Sequence, residues 1–487
     1  MSGLISHVTS RLVSRLMSGP ISRRPHRQPP HPSRRRHLSR PRPLLRAALA
    51  CALLALAALS GGCAQGAKET LVVLGPWTGP EGKAFEAMLK QLDDGTAYTY
   101  AYEGTSSLRE TLVAQLEADA PPDVAILNSI GELSEYAHRG RLRPLEKAAE
   151  RAYAPWAGPL RVQGRLHTYW VPLKVDLKSL VWSKTGTSGG TSAPKWCIGL
   201  ASQATSGWPG TDWIEDILLH QAGPTTYTDW ATGRLSWQNS AVERAWKTWA
   251  DLLGTRTDDA VEESLTTSFE GAADGVGGKR GLLNSLDCTH EHQSAFIRYL
   301  YADDDVRVEP SARFLQGSEE FENTYEVSGD MAAVFSDNPD AQELVELLSD
   351  RTARGLWRDM ARKVSEPEPQ PLFPASDDPQ PTDPIGREIA GILTEPTNKL
   401  CFDASDVMPP SLRDAFHRAV LEYFRNPTDK HLKDLLKRLD SVRDAATRPS
   451  TTGSSADGSS ADGSSADDDG PLSAARPPEA ICASPGG

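Results

Sequence analysis

From Glu69 onward, short β-branched apolar runs alternate with amphipathic stretches. Thr70–Leu74, Tyr98–Glu103 and Asp123–Asn128 read as strands, and Glu81–Leu92, Ser107–Ala118 and Ile130–Arg139 as helices with one apolar face. Strands separated by single helices need crossover connections, which predicts a mostly parallel sheet wrapped by helices. In such sheets ligands bind beyond the carboxyl ends of the strands. Those ends here are Gly75-Pro76-Trp77-Thr78, Gly104-Thr105-Ser106 and Asn128-Ser129.

A second αβ region begins at the apolar run Val171–Trp182 and holds helical patterns at Asp212–His220, Val242–Leu253 and Ala341–Asp350, with a strand-like Glu326–Phe335. Beyond the Pro-rich connector Glu366–Pro384 the pattern is helical at Arg387–Leu393, Ser411–Arg425 and His431–Ala446. Residues 450–470 then repeat Gly-Ser-Ser-Ala-Asp, too polar to offset chain entropy by burial, so 447–487 is expected to be a disordered tail.

Charge changes the picture at the N-terminus. The first 63 residues hold eleven Arg and no acid, leaving 41 basic against 65 acidic residues in the remainder. An acidic body repels phosphate backbones and argues against nucleic acid as a partner. The Arg-rich stretch is followed by the apolar run Ala47–Leu59, too short to span a bilayer, and then by Ser60-Gly61-Gly62-Cys63. Residues 1–63 therefore read as an export signal with a lipobox-like end, Cys63 being the lipidation candidate. Ser33-Arg34-Arg35-Arg36-His37-Leu38 also fits a twin-arginine export motif. Of the other cysteines, Cys197 and Cys288 fall in segments that look structured and are candidate disulfide partners in an oxidising compartment.

Several segments in order resemble the extracellular solute-binding proteins of carbohydrate ABC importers (family 1 type), most closely the α-glucoside-binding branch. They are Val73–Gly79, Pro121–Ala125, Lys174–Trp182, Trp196–Gly199, Ser206–Asp216, Gly329–Asp337 and Phe402–Pro409. The resemblance implies a two-lobed type II periplasmic-binding-protein-like α/β fold, each lobe a mostly parallel sheet flanked by helices, with a helical C-terminal region. It places residues 69–175 plus 293–337 in lobe I and 176–292 plus 338–446 in lobe II. It also implies a small carbohydrate ligand such as an α-glucoside, permease subunits as partners, a monomer at the outer face of the membrane, no catalysis and no cofactor or metal. Two departures stand out. Only the Gly/Ser/Thr-rich Lys184–Lys195 occupies the place of a family helix, and Phe416-His417 stands where the family has Phe-Trp.

A sugar cleft needs flat aromatics for C–H faces and charged or amide groups for hydroxyls. Trp77 follows a strand and is a platform candidate, or a plug between strand and helix. Trp208-Pro209-Gly210-Thr211-Asp212-Trp213 offers two rings and a carboxylate, with Asp212 alternatively a helix cap. Asn128 and Ser129 end a strand at the crevice. The resemblance puts Asp176, His292, Gln293 and Asp337 at chain crossings between lobes. Cys288, His290 and His292 are zinc-ligand types, but the family register makes Cys288 a disulfide cysteine. An alternative reading uses Asp212 with Glu215 or Asp216 as the acid pair of a glycoside-acting enzyme; another is a transport-deficient sugar sensor. No His-Glu-x-x-His and no complete P-loop occurs.

Overall fold

The computed structural model describes residues 68–93, 98–185, 193–272, 280–301, 305–364, 369–446, 478 and 480–485. The leader, Cys63 and the repeat at 450–470 lie outside them. Strand β1 (Glu69–Gly75), helix α1 (Gly79–Asp93), β2 (Tyr98–Gly104), α2 (Leu108–Glu117), β3 (Val124–Leu127) and α3 (Ile130–His138) follow the alternation of the sequence closely. Next come the hairpin β4 (Leu160–Val162) and β5 (Arg165–His167), then β6 (Trp170–Leu177) and β7 (Leu180–Lys184). Helices α4 (Trp208–Ala231), α5 (Ser240–Leu253), α6 (Asp258–Thr266) and the single turn α7 (Leu282–Ser285) precede β8 (His290–His292), β9 (Val306–Pro310) and β10 (Thr324–Val334). The chain continues through α8 (Pro339–Leu348), α9 (Arg351–Ala361), α10 (Pro384–Thr394), β11 (Lys399–Phe402), α11 (Ala404–Val407), α12 (Pro410–Arg425) and α13 (Asp429–Ala446) to β12 (Cys482–Ala483).

The main sheet runs β12-β11-β10-β3-β1-β2, with β6 also paired to β10. β1 is parallel to β2 and β3, and β10 is parallel to β11 but antiparallel to β3 and β6. At eleven residues β10 is long enough to serve two neighbourhoods. Its first part, Thr324–Val327, pairs with β11, and its last part, Met331–Val334, pairs with β3. β6 accompanies it along most of that length, so β6 and β10 form a two-stranded ribbon joining the N-terminal sheet to the C-terminal helices. A separate antiparallel sheet, β8-β7-β9, lies beyond the ribbon.

Two segments group differently from the order expected for the lobes. β9 pairs with β7 along Leu180–Lys184, which puts residues after Gln293 with the second lobe's strands. α8 and α9 pack on the N-terminal sheet and α1: Leu344, Trp357 and Met360 share a core with Leu71, Phe85, Met88 and Val334. The reason is local. The outer end of β10 delivers the chain beside β3, and Asn338 and Asp350 cap α8 and α9 there by accepting from the N–H groups of Asp340 and Thr352.

The end of the chain is also corrected. The expectation of a disordered 447–487 fails at 480–485, where β12 adds an edge strand to β11 and Cys482 is disulfide-bonded to Cys401. Ile481 beside it is fully buried. The second disulfide joins Cys197 to Cys288, with an S–S distance of 1.97 Å.

Candidate functional site

In a strand alternate residues share a face. On β6, Val175 and Leu177 enter the core, while Lys174 and Asp176, followed by Lys178 just past the strand, occupy the other face. On β10 the facing positions are polar as well: Asp330 is opposite Lys174 and Ser328 opposite Asp176, and the Glu326 carbonyl accepts from the Lys178 N–H. The ribbon thus carries a charged ladder at the carboxyl end of the N-terminal sheet.

At its upper end Lys174 pairs with Glu81, in the first turn of α1, and with Asp330 at 3.7 Å. Burial works against the Lys174 charge, but Glu81, Asp176 and Asp330 outweigh it and raise its pKa. Asp176 is 7% exposed, and no hydrogen bond or ion pair holds its carboxylate among the described residues. Burial pushes its pKa up to about 7 despite Lys174. Trp77 stands beside this group but offers no free face. Its ring is buried against Phe85 and Trp357, and its Nε1–H donates to Asp330 at 3.0 Å. Trp77 is the plug, and it positions Asp330.

At the lower end Lys178 is surrounded by Asp212 at 2.8 Å, Glu326 at 3.6 Å and Asp403. Oxygens of these three acids lie within 4.8 Å of one another, a spacing suited to a metal ion, and the Lys178 ammonium sits among them. Glu215 is the fourth acid, accepting from Ser405 N–H at 3.0 Å. Burial raises Asp212, Glu215 and Glu326, whereas Lys178 overcomes burial at Asp403 and holds it at about 2. This hub is inaccessible, with Asp212 3% and Glu215 and Asp216 0% exposed, which removes the open face a glycoside-cleaving acid pair needs. Nor is Asp212 a cap: α4 starts at Trp208, with Gly207 as its N-cap.

Asn128 and Ser129 meet α11. Asn128 Nδ2 donates to Asp406 Oδ2 at 3.2 Å, and Ser129 Oγ donates to the Asp406 carbonyl while accepting from Glu132 N–H. A Cβ on Gly131 would lie 2.2 Å from the Met408 carbonyl, so only glycine lets α3 approach α11 this closely. Asp406 is raised to about 7 by burial and by Asp403, with Arg413 opposing. Asp330 adds to that rise, so the ribbon and α11 border one electrostatic site.

On the remaining side Trp208 packs edge-on to Phe269 at 4.9 Å and lies 5.9 Å from Phe296, all three rings half-buried. Gly207, at φ 109°, lets this loop press onto the His417 backbone. His417 is itself nearly buried, which lowers its pKa to about 4 and keeps it neutral.

Four other expected contacts lie away from the site. Trp213 and His292 stack on each other at 4.3 Å in the core, and Gln293 is buried beside them. They line a cavity of about 10 Å³, room for one water and no sugar. His292 Nε2–H donates to the Asp216 carboxylate at 2.9 Å, and His220 is 3.2 Å from the same carboxylate. Asp337 is exposed and paired with Arg143. Because β10 runs antiparallel to β3, its end lies at the amino ends of the parallel strands, opposite the crevice.

The comparisons fit this geometry. Residues 76–351, over half the chain, match the family described as bacterial extracellular solute-binding protein. The chain belongs to that family. This solute-binding protein is 26% identical over 379 residues to the alpha-glucosides-binding periplasmic protein AglE of Rhizobium meliloti (strain 1021), covering 70% of this chain and 80% of AglE. It is 26% identical over 378 residues to the osmoprotective compounds-binding protein GgtB of Synechocystis sp., covering 70% of this chain and 85% of GgtB. Among solved structures it is similar to the bacterial solute receptor AcbH, at TM-score 0.58 and 12% identity over 78% of this chain and 100% of AcbH. A chitin oligosaccharide binding protein gives TM-score 0.56 at 16% identity, over 78% of this chain and 99% of that one. The fold is the type II periplasmic-binding fold. Among the described residues, no helix of the solute-binding protein is long and apolar enough to cross a membrane.

Sequence reasoning missed Glu81, Asp330, Asp406, Phe269 and Phe296 as members of the site. One signal was available: Lys174, Asp176 and Lys178 alternate in an otherwise apolar strand, which demands a polar partner strand.

The raised acids make a pH prediction. The native state holds protons on Asp176, Asp212 and Asp406 up to about pH 7, while the unfolded chain releases them near its ordinary value of about 3.9. The native state then binds more protons across that interval, so the stability from these groups falls as pH rises from about 4 to 7 and levels off above. Thermal unfolding of ligand-free protein across this range should show a shallower fall for Asp176→Asn than for the wild type. Identical slopes would remove Asp176 from the account.

Proposed function

We propose that this protein captures a small carbohydrate, an α-glucoside or similar oligosaccharide, between two lobes joined by the β6/β10 ribbon, and delivers it to the permease of an ABC importer. Closure about such strands is a hinge motion, with the ligand buried as the lobes meet. The observation that carries the reading is the row of polar groups on the ribbon, Lys174, Asp176 and Asp330, largely covered at the carboxyl end of the N-terminal sheet, with exposed Asn128 and buried Asp406 beside the same site. Charged acceptors of this kind bind hydroxyl pairs strongly, and Trp208 with Phe296 supplies apolar rings for a sugar face. The names of AglE and of the chitin oligosaccharide binding protein point to sugar ligands for those proteins and support the same class here. The protein acts by binding and not by catalysis. Export and a lipid on Cys63 would hold it at the outer face of the membrane as a monomer.

A thermal-unfolding screen with maltose, trehalose, raffinose, galactose and chitobiose tests this. A true ligand at 100 times its Kd adds about 2.7 kcal/mol. Stabilisation by at least one saccharide is expected, with mass spectrometry recovering it uncleaved after long incubation. No stabilisation across the panel defeats the carbohydrate reading, and cleavage defeats the non-catalytic one.

A further inference from the structure

The acids around the ribbon outnumber the cations that can serve them. Glu81, Asp176 and Asp330 surround Lys174, which is taken by Glu81 and Asp330. The next cation, Arg298, is committed elsewhere: it donates to the Ala295 and Gln370 carbonyls at 3.1 and 2.8 Å and lies 3.6 Å from Asp383. On the α11 side, Arg413 is shared by Asp406 at 3.5 Å, Asp414 at 3.7 Å and Glu132 at 3.9 Å, while Arg109 serves Glu132 and Asp414. Beneath both, one Lys178 faces four buried carboxylates. Asp176, more than nine-tenths buried, has no hydrogen bond or ion pair among the described residues, and Lys174 and Arg298 reach it only through their fields.

What would complete this arrangement is a ligand that both hydrogen-bonds and brings positive charge. A sugar hydroxyl does the first only, and a phosphate or uronate adds to the excess. A protonated amine does both, through charge-assisted bonds about twice as strong as neutral ones. We infer that the cleft selects saccharides bearing a protonated amine, with Asp176 as the direct acceptor and Glu81 and Asp330 sustaining the negative field around it. The inference rests on the carbohydrate reading and names the class of sugar. The half-buried rings of Trp208, Phe269 and Phe296 are compatible with it, because aromatic faces attract cations, as Trp77 does Lys174 at 5.6 Å. Burial, above all, raises Asp176 and Asp406 to about 7, so amine binding should strengthen as they ionise from about pH 5.5 toward 7, while the amine keeps its proton.

Calorimetric titration of the purified protein with two isosteric series tests the inference. The first is D-glucosamine, N-acetyl-D-glucosamine and D-glucose; the second is chitosan disaccharide, diacetylchitobiose and cellobiose. Maltose and trehalose serve as neutral α-linked references. The amine member is expected to bind at least about tenfold tighter than its acetylated and hydroxyl counterparts, a difference of about 1.4 kcal/mol. The advantage should shrink in high salt and fall toward one in Asp176→Asn. Asp330→Asn is a second variant in case the first folds poorly. Neutral sugars binding as tightly as their amine counterparts would overturn the inference and leave the carbohydrate reading standing. An amine preference unchanged in both variants would overturn the role of Asp176. Absence of binding by every sugar overturns both readings together.

Discussion

Lys178→Met is expected to cost about 3–5 kcal/mol of folding stability, the range for removing one partner of a buried ion pair. Among the described residues the side chain is the only ammonium beside Asp212, Glu326 and Asp403, all of which are nearly or fully buried. Burial already keeps Glu215 and Glu326 from ionising readily, so taking away the cation forces Asp403 either to hold a proton well above its present value of about 2 or to stand as a buried unpaired charge. Urea unfolding measured at neutral pH should show the loss, and the loss should diminish under acid conditions that protonate the hub. Equal urea midpoints for variant and wild type would mean that the hub is neutralised by protons alone. Because Asp212 begins in the first turns of α4, Glu326 lies on β10 and Asp403 caps α11, the hub also ties three elements to one point. A functional consequence follows: saccharide affinity should weaken in the same variant, since Asp406 is positioned by Asp403 through its N–H.

The second large effect concerns the C-terminal disulfide. Cys401 and Cys482 are 81 residues apart, and closing a loop of that length stabilises by about 4.5 kcal/mol in the chain-entropy picture, with about 2–4 kcal/mol more usual in measurement. Cys401→Ser with Cys482→Ser should therefore lower the urea midpoint substantially, and dithiothreitol should do the same to the wild type. The β12 strand covers the edge of β11, and Phe402 N–H donates to the Ile481 carbonyl directly before Asp403 and α11. Freeing it should loosen the segment that presents Asp406 and reduce ligand affinity as well. Stability that is indifferent to both the double substitution and reduction would show that strand pairing alone holds the terminus.

The alternating N-terminal half was legible because each element there carries its own signal. Leu71 and Val73 face one side of β1, and Phe85, Met88 and Leu89 form the buried stripe of α1. α9 was not legible, although it has an apolar stripe through Ala353, Trp357 and Met360, because it follows α8 after only two residues, Ser349 and Asp350, and reads as a continuation. β11 and β12 were invisible for a different reason. A four-residue strand and a two-residue strand have too little pattern to separate from loop, and they exist because β10 offers an edge and a disulfide closes it.

The site divides along the same line. Asp176, Asn128 and Trp208 could be chosen from the sequence because they sit at strand ends or helix starts, where a parallel sheet opens its crevice. Trp213, His292 and Gln293 have the same residue chemistry and similar positions, yet the core claims them: their rings and amide fill space between α4 and β8. Sequence fixes which residues are polar within an apolar run, since that depends only on neighbours along the chain. Which of them reach solvent depends on how β6 pairs with β10 and where α1 and α11 come to rest. Those placements are set by long-range burial and strand register, quantities that no window of sequence contains, and they decided both which polar groups the ribbon gathers and which carboxylate on it has no hydrogen bond or ion pair among the described residues.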